Sequence, residues 1–120
     1  MVRHLLIVDD DGDVREMLCD FLEGQGYHVA RAATLSDGAA RLMGGAIDLV
    51  IADVRLPDGS GVALADKACD GGVPAILLTG HPDALARIGD LPHPHLAKPF
   101  RLTELEALVK SCLCLAAERQ

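Results

Sequence analysis

Short apolar runs alternate with amphipathic segments along the whole chain. The clearest runs occupy residues 5–8, 49–52, 75–78 and 96–97, and each is followed directly by a polar side chain. Apolar runs of this length, bounded by polar residues, predict strands buried on both faces of a parallel sheet. A shorter strand is predicted over His28–Ala32. The pattern therefore predicts five strands.

Helical spacing of apolar residues appears between these strands. The first helix carries apolar residues between positions 14 and 22 and is stopped by two glycines. Asp11 or Asp13 is expected to cap that helix, and Thr34 or Ser36 to cap the second. A third helix is predicted over 62–68. A capping box of Thr103 with a glutamate three residues later predicts the start of the last helix.

The segment 80–95 is the least regular part of the chain. Its prolines leave room for only a short fourth helix near 83–88. On the last helix, Leu113 and Leu115 are predicted to lie off the main apolar face, where one of them could contact a partner or a further domain. Five strands alternating with helices predict an α/β fold, (βα)₅, with a doubly wound parallel sheet and helices on both faces.

Length and composition narrow the class of protein. The 120 residues are one domain, 1–120, with half of them apolar, enough for a core without disulfide or metal. A net charge of −7 gives no electrostatic footprint for nucleic acid or an anionic membrane. No apolar stretch approaches the roughly 20 residues of a membrane span, and the first residues do not carry the apolar core expected of a signal peptide. The four cysteines are interpreted as reduced helix residues, and the chain is expected to be cytoplasmic.

Five chemically complementary residues follow the predicted strands: Asp9, Asp10, Asp53, Thr79 and Lys98. Parallel α/β sheets bind ligands outside the carboxyl ends of their strands, so these side chains are expected to meet at one edge. Three carboxylates favour a hard cation such as Mg²⁺, and a carboxylate can also accept a phosphoryl group. Lysine and threonine can contact phosphate oxygens. Each residue alone has an ordinary structural explanation, but together they predict a site.

The chain resembles the receiver domains of two-component response regulators, of the chemotaxis-regulator type. Four motifs in order carry the resemblance: Ile7-Val8-Asp9-Asp10-Asp11, 53–61 with the sequence DVRLPDGSG, Leu78-Thr79-Gly80-His81 and Ala97-Lys98-Pro99-Phe100. The resemblance covers essentially the whole chain. It implies a flavodoxin-like fold with strand order 2-1-3-4-5.

The resemblance also implies roles for individual residues. Asp53 matches the phosphoacceptor, and the Mg²⁺ ligands are expected to be Asp9, Asp10, Asp53 and the backbone carbonyl of Arg55. Thr79 matches the switch hydroxyl and Lys98 the phosphate-binding lysine. Arg55 and His81 stand where relatives tune dephosphorylation. His95 occupies the position at which relatives carry a switch aromatic, which makes the usual switch and dimer face an open question.

The resemblance implies partners as well. The expected phosphoryl donor is a histidine kinase or a histidine phosphotransfer protein. The expected output is through an unknown downstream protein or an effector domain outside the chain. The chain itself is expected to be a monomer or a weak dimer. Such a module is not a conventional enzyme, since its chemistry is phosphotransfer to itself and autodephosphorylation. Two alternatives stay open. One is a Mg²⁺-dependent phosphatase of the haloacid dehalogenase type, and the other is a receiver-like interaction domain that works without phosphate.

Overall fold

The computed structural model describes residues 2–80 and 92–118, with the side chains of 116–118 left out. Within these residues, strands alternate with helices up to residue 79, apart from a two-stranded hairpin after the third strand. In chain order the elements are β1 (His4–Val8), α1 (Gly12–Gly24), β2 (His28–Ala32), α2 (Leu35–Met43), β3 (Leu49–Asp53), β4 (Arg55–Leu56), β5 (Gly59–Ser60), α3 (Gly61–Asp70), β6 (Ala75–Thr79), β7 (His95–Ala97) and α4 (Leu102–Glu118).

The five long strands form one parallel sheet in the order β2-β1-β3-β6-β7. Since β6 and β7 are the predicted fourth and fifth strands, the predicted order 2-1-3-4-5 is confirmed. β1 shows how the sheet is buried, because Leu5 and Ile7 belong to one apolar cluster and Leu6 and Val8 to the other. Side chains alternate between the faces of a strand, so the sheet is covered by helices on both sides.

Helix ends follow the local chemistry of the sequence. Asp11 caps α1 by accepting hydrogen bonds from the amides of Asp13 and Val14, and the Thr34 hydroxyl accepts from the amide of Asp37 to cap α2. Each bond satisfies an amide that has no partner inside its helix. The predictions for both caps are confirmed.

The predicted cap of the last helix is wrong. Thr103 lies inside α4, which begins one residue earlier, at Leu102. The side chain of Glu104 accepts a hydrogen bond from the backbone amide of Arg101 at 3.0 Å, so the acidic half of a capping box forms two residues earlier than predicted. Two acidic residues, Glu104 and Glu106, stand in this first turn region, and the sequence pattern alone selected the wrong one.

The prediction for α4 is also wrong at Leu113. Leu113 is 7% exposed and belongs to the core, whereas Leu115 is 52% exposed. Cys112 and Leu113 are both buried, so the apolar face of α4 is wider at this end than the spacing indicated. Leu113 therefore packs within the domain and is not free for a partner.

This difference in burial gives a stability prediction. Leu113→Ala is expected to lower the free energy of unfolding by about 2–3 kcal/mol, because it removes buried methyl groups and leaves a cavity. Leu115→Ala is the matched control on the same helix and is expected to change stability by less than about 0.5 kcal/mol. Urea denaturation followed by circular dichroism measures both, and equal losses in the two variants would contradict the packing described above.

The predicted fourth helix, near 83–88, lies outside the described residues. Within the described part of the chain, no helix has the length and apolar character that a bilayer crossing requires.

Candidate functional site

The structure brings the polar residues that follow the strands to one edge of the sheet. Asp9 and Asp10 follow β1, Asp53 ends β3, Thr79 ends β6 and Lys98 follows β7. Because all five strands are parallel, their carboxyl ends lie at the same edge. The local reason is simple: each apolar strand stops where the sequence turns polar, and the polar side chain is left at the edge.

Lys98 connects two of the strand ends through its ammonium group. Its Nζ lies 3.1 Å from Oδ2 of Asp9 and 3.0 Å from Oδ2 of Asp53. Its backbone amide donates to the carbonyl of Thr79 at 2.7 Å, which fixes the lysine at the end of the pairing between β6 and β7. The Lys98–Pro99 peptide bond that follows is cis. A single cation therefore contacts two carboxylates that would otherwise repel each other.

The second oxygen of each carboxylate accepts a backbone amide. Asp9 Oδ1 accepts from the amide of Asp11 at 3.0 Å, and Asp53 Oδ1 accepts from the amide of Arg55 at 3.2 Å. The Asp9 side chain is fully buried, and that of Asp53 is only 12% exposed. These contacts hold both carboxylates in fixed orientations.

Burial and charge act in opposite directions on the titration of this edge. Burial raises the pKa of the Asp9 carboxyl above its usual value, although the Asp11 amide and Lys98 oppose it, and the Asp53 charge adds to the rise. For Lys98, burial lowers the pKa, but hydrogen bonds and charge attraction from Asp53 and Asp9 outweigh it and leave the pKa raised. Lys98 is therefore charged at neutral pH. The buried carboxylates of Asp9 and Asp53 strongly favour a positive charge beside them.

The acidic cluster has the composition of a site for a hard cation. Asp9, Asp10 and Asp53 each offer a carboxylate oxygen, and these three oxygens lie within 4.8 Å of one another. Asp10 is exposed while the other two are buried, so the cluster opens to solvent on one side. Divalent hard cations bind oxygen ligands and retain water, which suits a cluster of carboxylates with an open side.

Helix α3 begins directly against the strand end that carries Asp53. The amide of Gly61 donates to the Val54 carbonyl at 2.9 Å. A Cβ atom on Gly61 would lie 2.1 Å from the Asp53 carbonyl oxygen. Only a glycine allows this approach without displacing backbone. Gly61 therefore sets how closely α3 approaches the acidic edge, which is the edge of the sheet that carries Asp9, Asp10 and Asp53. Sequence reasoning assigned no role to this residue, although the glycine at the start of a helix was a usable signal.

Two other residues that support the site were missed from the sequence. Arg15 Nη1 donates to the Asp9 backbone carbonyl at 3.0 Å, one helical turn into α1. Asp58 accepts from the amides of Leu35 and Ser36 at 2.7 and 3.0 Å, which joins the β4–β5 hairpin to the start of α2. Nothing in the spacing pointed to Arg15. The Pro57-Asp58-Gly59 sequence marked a turn, but the partner of Asp58 is 22 or 23 residues away.

The remaining predicted site residues differ in burial and in the element that carries them. Thr79 is 1% exposed at the end of β6. Arg55 pairs with Ser60 in the hairpin and has an exposed side chain, while its amide contacts Asp53. His95 begins β7, opposite Leu77, and is half-buried. His81 lies outside the described residues.

The double contact of Lys98 gives a prediction. Lys98→Met is expected to lower the free energy of unfolding by about 2 kcal/mol without Mg²⁺, because two largely buried carboxylates lose their cation. Adding Mg²⁺ is expected to recover part of the loss, since a bound cation supplies the missing positive charge. Urea denaturation with and without Mg²⁺ measures this, with the exposed Lys67→Met as control. A Lys98→Met chain as stable as the parent without Mg²⁺ would contradict the role given to Lys98.

Fold and site together define a class of protein: a doubly wound parallel α/β module with a lysine and an acidic cluster at the carboxyl edge of its sheet. The sequence profile of the response regulator receiver domain matches residues 5–110. The chain therefore belongs to the receiver domain family of two-component response regulators. Receiver domains are phosphoacceptor switches, so the chain is a signalling module and not a conventional enzyme.

Individual relatives agree with this assignment. The swarming motility regulation protein RssB of Serratia marcescens is 33% identical over 113 residues, covering 90% of this chain and 52% of the relative. The KDP operon transcriptional regulatory protein KdpE of Escherichia coli is 34% identical over 116 residues, covering 93% and 52%. The chain spans about half the length of these two curated relatives.

Solved structures show the same fold. A receiver domain from Methanospirillum hungatei superposes with a TM-score of 0.91 at 27% identity, covering all of both chains. The response regulator TrrA of Thermotoga maritima, in complex with Mg²⁺ and BeF, superposes with a TM-score of 0.84 at 27% identity, covering 92% of this chain and 99% of that one.

Proposed function

We propose that Asp53 is the phosphoacceptor of this receiver domain. The observation that carries the proposal is the position of its carboxylate, which lies at the end of a central strand, contacts Lys98 at 3.0 Å and shares an acidic cluster with Asp9 and Asp10. The Asp53 side chain is 12% exposed, whereas the Asp9 side chain is fully buried. Asp53 is therefore the more accessible of the two carboxylates that contact Lys98. An incoming phosphoryl group needs that access.

The proposed reaction is transfer from a phosphohistidine of a histidine kinase or phosphotransfer protein. An Asp53 carboxylate oxygen attacks phosphorus, the phosphorus–nitrogen bond breaks, and the donor imidazole keeps the bonding electrons and takes up a proton. The product is an aspartyl phosphate. Carboxylates serve as nucleophiles of this kind, and the protein contributes mainly position and charge.

Asp9, Asp10 and Asp53, with the Arg55 carbonyl, would hold Mg²⁺. When bound, that ion neutralises charge on the phosphoryl oxygens during transfer. Lys98 stays within reach of the same oxygens, because it already contacts Asp53. Thr79, next to Lys98 along the edge, would supply the hydroxyl that responds to the phosphorylated state. The Mg²⁺ complex of the Thermotoga maritima regulator supports this choice of ion.

The lifetime of the phosphate is a separate part of the proposal. Arg55 and His81 would tune autodephosphorylation by affecting the attacking water, and Arg55 is suited to this because its amide contacts Asp53 while its side chain is exposed. We expect Arg55→Ala and His81→Ala to change the rate of phosphate loss severalfold. The measurement is the decay of phosphorylated chain with time after removal of the donor. Unchanged decay in both variants would remove these residues from the mechanism.

The proposal includes the setting of the module. Histidine kinases draw their phosphoryl group from ATP, so the location proposed for the module is the cytoplasm. The unit 1–120 would act as a single receiver domain, whose phosphorylated state alters contact with a downstream protein or an effector domain. Transcriptional regulators among the relatives support an effector of that kind.

Incubation with acetyl phosphate and Mg²⁺, followed by intact mass, tests the acceptor function. We expect the addition of one phosphoryl group, and no addition when EDTA removes the cation. Absence of any addition would favour an interaction domain that works without phosphate. A parallel assay with a generic phosphate ester is expected to show no steady turnover, since the residue two after Asp53 is Arg55 where a dehalogenase-type phosphatase carries an acid.

A further inference from the structure

Two histidines lie side by side at the opposite edge of the sheet from Asp53. β1 and β2 are parallel, and His4 pairs with His28 at the first position of their register. The two imidazole rings have their centroids 5.1 Å apart, with an interplanar angle of 52°. His4 is half-buried and His28 is exposed. Both rings line a cavity of about 440 Å³ whose wall also includes Glu23 and Tyr27.

The spacing of the rings matches that of two imidazoles on one metal ion. A metal–nitrogen bond of about 2.0–2.1 Å places each ring centroid about 3.2 Å from the metal. Two such ligands at an angle near that of a tetrahedron then have centroids about 5 Å apart. The observed 5.1 Å agrees with this value. The interplanar angle of 52° also distinguishes the pair from a parallel stack.

The backbone on both sides of the pair is fixed by hydrogen bonds. The His28 amide donates to the Arg3 carbonyl at 2.9 Å. The His4 amide donates to Oδ2 of Asp48 at 2.8 Å, and the Asp48 amide donates back to the His4 carbonyl at 2.7 Å. The rings therefore project from a rigid part of the sheet, so a metal would find the two ligands already close. The Asp48 carboxylate is also close to the pair, and it forms an ion pair with Arg3 at 3.9 Å.

We propose that His4 and His28 form a second metal site, which binds a borderline transition-metal dication such as Ni²⁺, Cu²⁺ or Zn²⁺. Water completes the coordination from the cavity side. Imidazole suits these metals, whereas the carboxylates of the acidic edge suit Mg²⁺, so the two sites select different ions. The inference does not depend on phosphorylation of Asp53.

Binding at this pair would act on the edge of the sheet. Among the described strands, β2 is the outermost on its side of the sheet and pairs with β1 alone. A metal held by one histidine from each strand joins them at the start of their pairing. Because the unfolded chain does not hold the two rings together, the metal is expected to raise the melting temperature of the native chain.

Titration of the whole chain with Ni²⁺ tests the proposal, with saturating Mg²⁺ to fill the acidic edge and a non-chelating reductant to keep the cysteines reduced. Isothermal calorimetry is expected to show one site, and paramagnetic broadening in NMR spectra is expected first at His4 and His28. Losing an outer-shell partner of a metal ligand typically costs 10–100-fold in affinity, and His28 is a ligand itself, so His28→Ala is expected to weaken binding by at least about tenfold.

His28 is the better residue to replace because it is exposed, and His28→Gln provides a second variant if His28→Ala alters the fold. His95→Ala is the matched control and is expected to leave the affinity unchanged. Absence of saturable binding up to about 1 mM Ni²⁺ would overturn the proposal. Binding that survives His28→Ala, or that disappears in Cys69→Ser, would also overturn it.

Discussion

Replacing Asp53 by asparagine is expected to abolish phosphorylation of the chain. Asparagine keeps the size of the side chain and an oxygen that can contact Lys98, so the fold should persist. The neutral amide is a poor nucleophile and cannot form a stable acyl phosphate. It also removes one of the three carboxylates of the cation cluster, so Mg²⁺ affinity is expected to fall at least about tenfold.

Intact mass after incubation with acetyl phosphate and Mg²⁺ measures the loss of phosphorylation. Asp70→Asn is the matched control, since Asp70 is exposed at the end of α3 and distant in sequence from every residue of the acidic edge. The control is expected to be phosphorylated to the same extent as the parent chain. A phosphoryl group on the Asp53→Asn chain would mean that another residue is the acceptor.

The largest expected loss of stability from a small change is at Gly61. A Cβ atom there would lie 2.1 Å from the Asp53 carbonyl oxygen and 2.9 Å from the Asp53 carbonyl carbon. Both neighbours are backbone atoms at the end of a buried strand, so relief requires α3 and β3 to separate. Overpacking of this kind typically costs 1–3 kcal/mol, and we expect Gly61→Ala to lower the free energy of unfolding by about 3 kcal/mol.

Gly24→Ala is the control for the same chemical change. Gly24 ends α1 with open space around it, because no heavy atom beyond its chain neighbours and its own helix backbone lies within 4 Å of the position of its Cβ. Alanine favours a helix over glycine by up to about 1 kcal/mol, so this variant is expected to be as stable as the parent or slightly more stable. Urea denaturation measures both variants. A Gly61→Ala chain within about 0.5 kcal/mol of the parent would contradict the close approach of α3 to Asp53.

Most of the fold was predictable because its signals are local. The bounds of β2, His28–Ala32, match the prediction. The order of the strands followed from the alternation of strands and helices together with the resemblance. Asp11 and Thr34 cap helices through bonds to residues two or three positions away, which a sequence pattern can represent.

The parts that sequence reasoning missed depend on contacts between distant residues or on competing local choices. The hydrogen-bond partners of Asp58 lie at the start of α2. Arg15 can donate to the Asp9 carbonyl only when α1 is packed on the sheet. The cap of α4 had two acidic candidates: Glu104 accepts from the Arg101 amide, whereas Glu106 pairs with Lys110 further along the helix. Leu113 is buried because the far end of α4 packs against the sheet over a wider face.

Chemical mapping of the phosphoryl group tests the central claim most directly. Borohydride reduces an acyl phosphate to an alcohol, so the side chain that carried the phosphate becomes homoserine and can be located by peptide mass spectrometry. After phosphorylation with acetyl phosphate and Mg²⁺, the account predicts homoserine at position 53 alone. Homoserine at position 9 or 10, or a phosphorylated chain without homoserine, would contradict the assignment of Asp53 as the acceptor.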